Sequence, residues 1–381
     1  FLVTLSGAAN ATIGRAQGRG SLVDDDRVPI DPALPGQYLA DLSAGPGVDD
    51  YLLVANPNAQ AVTARLTWVR PDGTGATRDL TIPAHQRVTL PVASEPNIAG
   101  QGDVSVAVQA TDPALAIDAD HSAYWGGGQA GRATEGVTPS PTWYFAEGST
   151  TSFEEWITVF NPTNSWVDVQ FVFVGTSGVL QTRTVRIAEG PGRLKVRVRD
   201  WLGSADHGTR ITATGPGGAA GVVAERTMTW EWAAGQPEGH STPGQSALAA
   251  NWYFAEGDNA FFATYFALLN PSDAYSWVRI YYLHENGQLY SQDVAVPPWC
   301  RVTATTPASV PAGAFSMDAD VLWGGAPVAA ERMLYGGPNW TIGHAGVGEA
   351  LAPTWRLTEG VTSSDAARDL LFGTPTESAA A

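Results

Sequence analysis

The hexapeptide Trp143-Tyr144-Phe145-Ala146-Glu147-Gly148 returns verbatim 109 residues later as Trp252-Tyr253-Phe254-Ala255-Glu256-Gly257. It returns again, worn down, 103 residues after that as Trp355-Arg356-Leu357-Thr358-Glu359-Gly360. A period of this length requires one supersecondary unit built several times over, each unit stacking on its neighbours. A weaker version, Tyr38-Leu39-Ala40-Asp41, opens an earlier copy. Other landmarks keep step: Asn56-Pro57, Asn161-Pro162 and Asn270-Pro271; Arg87, Arg193 and Arg301; Ala224-Glu225-Arg226 and Ala330-Glu331-Arg332, with Ala119-Asp120-His121 as the looser match. The copies end on Gly131-Arg132-Ala133, Gly239-His240-Ser241 and Gly343-His344-Ala345.

Inside a copy the period is two. Val167, Val169, Phe171 and Phe173 alternate with Asp168 and Gln170, and Val278, Ile280 and Tyr282 alternate with Arg279 and Tyr281, the pattern of half-buried antiparallel strands. Asn286-Gly287 carries the signal of a two-residue hairpin. About seven strands in about 105 residues predict an immunoglobulin-like or fibronectin-like β-sandwich, since a propeller blade would need only half that length. The chain therefore divides into residues 1–37, the tail of a repeat with an acidic linker; 38–141, 142–250 and 251–353, three all-β sandwich repeats; and 354–381, the opening strands of a partial fourth. Both ends fall inside a repeat. Thr12-Ile13-Gly14-Arg15-Ala16 reproduces Thr341-Ile342-Gly343-His344-Ala345 at an offset of 329 residues. The fragments read either as part of a longer array or as strands that dock on a neighbouring subunit by strand addition.

Composition narrows the function. With 38 acids against 21 bases the net charge is -17, which repels phosphate backbones and argues against nucleic acid. Lys195 is the only lysine, so the positive charge is nearly all arginine. Cys300 is the only cysteine, so the domains stand on their cores without an intrachain disulfide. No apolar run approaches the roughly 20 residues that span a bilayer.

The hexapeptide glutamate returns from copy to copy, which points to a structural role, because a catalytic carboxylate needs one tuned site. Copy one lacks both the hexapeptide Glu and the Arg of Glu-Arg, having His121 there; this joint absence predicts that Glu147 pairs with Arg226 and Glu256 with Arg332. The six histidines show no metal-ligand spacing, and Asp206-His207 near Ser204 are sequence neighbours without a nucleophile elbow. Asp24-Asp25-Asp26 and Asp49-Asp50 lack the spacing of a calcium loop. No catalytic, cofactor or metal site is expected. Trp230 and Trp340, beside or near glycine or proline, are candidates for stacking on glycans. Asn10 and Asn339 head glycosylation sequons at equivalent positions.

The hexapeptide, the Asn-Pro strand end and Pro327-Val328-Ala329-Ala330-Glu331-Arg332 together resemble a family of uncharacterised secreted repeat proteins of actinobacteria and related bacteria. The resemblance covers about residues 38 to 375 and is specific in copies two and three. It implies export and tandem domains, and it supplies no catalytic residues. The expectation is an extracellular, cell-surface structural protein that self-associates into a filament, surface layer or stalk. A carbohydrate-binding or adhesive array, or repeats accessory to a larger secreted enzyme, is the alternative.

Overall fold

In a computed structural model, which describes residues 2–4, 6–10, 12–14, 16–19, 28–100 and 102–358, the alternation in each repeat resolves into two antiparallel sheets facing one another. Asp24-Asp25-Asp26, Glu359-Gly360 and the strands expected beyond residue 358 lie outside the described residues. Repeat 2 shows the plan. Its eight main strands are Thr142–Phe145, Glu154–Asn161, Val167–Gly175, Gly178–Ile187, Gly192–Arg197, Gly208–Gly215, Val223–Ala233 and Gln236–Pro243, with a two-residue strand, Gly218–Ala219, folded back on the sixth. The first sheet has the order first-sixth-third-fourth, and the second has fifth-second-seventh-eighth. Repeat 1, from Gly36–Ser43 to Ala130–Glu135, and repeat 3, from Asn251–Asp258 to Ile342–Val347, have the same eight strands in the same order. The eighth is one more than the sequence pattern gives, because the closing segment pairs along the seventh strand, with Met228 opposite His240 and Met333 opposite Ala345. Among the described residues helix is confined to single turns such as Arg199–Leu202.

Each sandwich buries its inward alternates: Trp143, Phe145, Val169, Phe171 and Phe173 meet Ile157 and Val159 of the facing sheet. The indole N–H of Trp143 donates to the Val222 carbonyl at 2.8 Å, and that of Trp252 to Val328 at 2.7 Å, so the opening tryptophan is buried with its polar atom satisfied. The asparagine of each Asn-Pro pair has a job beyond ending a strand. Asn56, Asn161 and Asn270 are buried; their amides donate to loop carbonyls (Gln60, Ser165 and Ala274, each at 2.8 Å), while their Oδ1 atoms accept from the backbone two residues on.

The repeats are not beads on a string. The outer faces of the first sheets of repeats 1 and 2 pack on the outer face of the following repeat's second sheet, producing apolar clusters between repeats as well as within them. Tyr38, Ala40 and Ala107 of repeat 1 meet Phe160 and Val223 of repeat 2. Val172 and Val174 of repeat 2 meet Leu269, Met333 and Tyr335 of repeat 3. Close approach at the second boundary depends on Gly208, where an added Cβ would stand 3.1 Å from Leu269 Cδ1. The three eighth strands converge on one axis and line a groove of about 410 Å³ with Gly131-Arg132-Ala133, Gly239-His240-Ser241 and Gly343-His344-Ala345.

Candidate functional site: the buried charge clusters between repeats

The recurring hexapeptide acid lies at the end of the first strand, on the outer face, where the next repeat arrives. At the boundary of repeats 2 and 3, Arg226 is fully buried and its Nη2 lies 2.8 Å from Glu147 Oε2 and 2.8 Å from Glu331 Oε2. The sequence reading joined Glu147 and Arg226 within one repeat; the structure adds Glu331 from the following one. Glu331 also accepts the Ala146 N–H at 2.7 Å, Tyr335 donates its hydroxyl to Glu147 at 2.8 Å, and Arg301 donates to the Ala146 carbonyl at 3.2 Å. Burial, with Glu331 competing for the same guanidinium, pushes the Glu147 carboxyl up to about 7.

The boundary of repeats 1 and 2 carries the same carboxylates with the cations exchanged. Asp41 stands for Glu147, and Glu225 of repeat 2 stands for Glu331. His121 takes the place of Arg226 and lies 3.3 Å from Asp50 and 3.0 Å from Glu225. The missing guanidinium arrives one strand over: Arg132 donates to Asp41 at 3.0 Å, where repeat 2 has His240. Arg193 donates to the Ala40 carbonyl at 3.3 Å, as Arg301 does to Ala146, and Lys195 lies 2.9 Å from Asp41. Burial alone would lower the His121 imidazolium, but Glu225 and Asp50 lift it to about 10. Burial likewise opposes ionisation of Asp41, yet Lys195, Arg132 and Arg193 hold it well below the usual carboxylate range.

Repeat 3 has the near half of this cluster only. Arg332 lies 2.5 Å and His344 3.2 Å from Glu256, which they hold down at about 2 against the effect of burial. No incoming glutamate meets them among the described residues, and the Glu256 side chain is 35% exposed where that of Glu147 is 4% exposed.

The pH response follows from these signs. A raised His121 adds stability that is complete below 6.5 and lost as pH rises through 10. A raised Glu147 adds stability that is complete below 4.5 and lost as pH rises through 7. Denaturant midpoints should therefore fall in two stages, the first between about pH 4.5 and 7 and the second between about 6.5 and 10, and Glu147→Gln should abolish the first. A midpoint flat from about pH 6 to about 10.5 would contradict this assignment.

Other sequence candidates sit elsewhere. His207 is buried, with Nε2 3.1 Å from Glu155 and Nδ1 3.2 Å from Thr209 Oγ1, so its ring nitrogens face those groups and not Ser204. Trp230 and Trp340 do not offer free faces for a sugar. Trp230 is 7% exposed and donates to the Trp340 carbonyl at 2.8 Å, while Trp340 is half-buried and stacks on Phe153 at 5.8 Å. The glycine near Trp230 in space is Gly343, whose missing Cβ admits the indole. Asn10 and Asn339 are both exposed and left-handed, with φ of 59° and 56°. Among the described residues no group of three or more His, Cys, Asp or Glu is arranged to hold a metal ion, and no helix is long and apolar enough to cross a membrane.

No family model matches the chain, and no curated protein matches it. Among solved structures it is similar to the crystal structure of a tetra-tandem repeat in the extending region of a large adhesion protein. The identity is 11%, over 83% of this chain and 75% of that chain, and the TM-score of 0.12 is too low to carry an argument.

Proposed function

We propose that the chain is an extracellular structural protein, a subunit of a filament, surface layer or stalk held at the cell surface, and not an enzyme. The observation that carries the proposal is the pair of sealed boundaries. Each joins two repeats through an apolar face and a closed set of charge-assisted hydrogen bonds, so the array is a stiff body. Stiffness is what a spacer or layer subunit requires. Catalysis would need tuned groups open to a substrate, whereas Glu147 and His121 are enclosed between repeats. Contacts with neighbours fall to exposed aromatics on repeat 3 (Phe261, Tyr275, Trp277 and Trp323) and to edge strands such as Leu289–Val296.

The same exposed Trp277 and Trp323 favour a second reading, adhesion to polysaccharide by stacking. Negative-stain microscopy of native material decides between them. Ordered fibres or lattices are expected; isolated particles at every concentration, together with glycan binding that Trp277→Ala abolishes, would replace the first reading with the second.

A further inference from the structure

The axial groove is lined by three copies of the closing tripeptide, and the chain contains a fourth copy at residues 14–16. Three observations bear on where that copy belongs. Leu2–Thr4 pairs antiparallel with Gln17–Arg19, one residue out of step with the Glu331–Val347 pairing at the 329-residue offset, while Asn10 and Asn339, at equivalent positions, are both left-handed. The N-terminal segment thus carries the sequence of the seventh and eighth strands of a unit in a hairpin of its own.

The opening segment of the same kind of unit, Trp355 to Thr358, is already seated on repeat 1. Arg87 donates to the Thr358 carbonyl at 3.1 Å, as Arg193 does to Ala40 and Arg301 to Ala146, and Thr358 is buried. Arg356 lies 3.7 Å from Asp118 of repeat 1. That opening segment therefore occupies on repeat 1 the face that repeats 2 and 3 each offer to the repeat before them. Finally, the outer face of the first sheet of repeat 3 is the uncovered member of its set. Ala40 and Ala146 are fully buried and Ala255 is exposed; Val172 and Val174 are buried, while their counterparts Tyr281 and Leu283 are partly exposed.

We infer that the hairpin of residues 2–19 is the piece that closes this gap, with Ile13, Gly14 and Ala16 in the axial groove and Leu2–Thr4 against the open face of repeat 3, so that four units form a ring. In the structure Thr4, Gly14 and Ala16 are exposed, and among the described residues none of those lining the groove comes from the hairpin. Residues 28–35 are already packed on repeat 1, where Ile30 is buried beside Tyr38 and the Gln109 amide donates to the Asp31 carbonyl, so the chain enters repeat 1 from an anchored segment. A second copy of the chain is disfavoured as the occupant, because head-to-tail addition needs the face of repeat 1 that Thr358 already holds. Gly336 stands where Trp125 and Trp230 cover the next repeat's eighth-strand glycine, so this contact lacks an indole and is the weakest in the ring.

The test is an oxidative cross-link in the full chain carrying Ala16→Cys and Ala345→Cys, with the native Cys300 buried. The expected product at dilute protein is an intrachain disulfide at monomer mass. Cross-linked dimers would assign the groove to a second copy, and two free thiols would leave the hairpin outside it; either result overturns the inference. Hydrogen exchange on the unmodified chain provides an independent measurement. The Ile13 and Gly14 amides should exchange at least ~100-fold more slowly than in a free peptide, and exchange at peptide rates also overturns it.

Discussion

Arg226→Ala should lower the unfolding free energy by about 3–5 kcal/mol at pH 8, the cost of removing one partner from a buried ion cluster. The size follows from what remains behind. Glu147 and Glu331 both point at the same guanidinium at 2.8 Å, and the site is dry enough that neither recovers water when the arginine goes. The loss should shrink on acidification to about pH 5.5, because Glu147, already lifted to about 7, takes up a proton and one of the two stranded charges disappears. Urea denaturation at the two pH values checks both parts. A loss below about 1 kcal/mol at pH 8, typical of an exposed pair, would mean that the cluster is not sealed between the repeats.

Leu269→Asp should do more: it should separate repeats 2 and 3. Leu269 is fully buried on the outer face of the second strand of repeat 3, against Gly208, and faces the boundary instead of its own sandwich core. The change removes about 2 kcal/mol of apolar burial and forces a carboxylate among Val174, Met228 and Met333, opposite Arg301, which it would draw away from the Ala146 carbonyl that joins the two repeats. Because the core of repeat 3 is a separate cluster around Phe266, Leu268 and Tyr282, the repeat should remain folded while its packing on repeat 2 is lost. Retained far-UV dichroism with an increased radius of gyration is the expected signature. A variant that loses its strands and its compactness together would show that the repeats have no independent cores.

Much of this was legible in the residues because the two periods act at different scales. The period of two assigned Val167 to Phe173 to a half-buried strand, and the longer period set the number of units. The pairing of Glu147 with Arg226 was visible because both partners are missing from the same copy. What periodicity could not reveal was the third partner: a residue conserved in step with the repeat looks the same whether it meets its own copy or the next, so Glu331 was read as part of a landmark and not as a visitor. The cluster around Asp41 was missed for a related reason. Its arginine moved from the seventh strand to the eighth, Arg132 for Arg226, while histidine moved the other way, His121 for His240. That exchange is readable in the closing tripeptides, Gly-Arg-Ala in copy one against Gly-His-Ser in copy two, once the two strands are known to be neighbours. A glycine near an aromatic in the sequence looks like an exposed turn, whereas the glycine that meets Trp230 is Gly343 of the next repeat, the recess that buries it.

The central claim is that charged, apolar boundaries fold three sandwiches into one stacked body that curves until Thr358 reaches Arg87. Small-angle scattering of the unmodified chain tests it most directly. A compact body of 381 residues should give a radius of gyration of about 21 Å, whereas three sandwiches strung end to end would give about 30 Å. A value near the first supports the stack, and a value near the second, unchanged by Leu269→Asp, contradicts it.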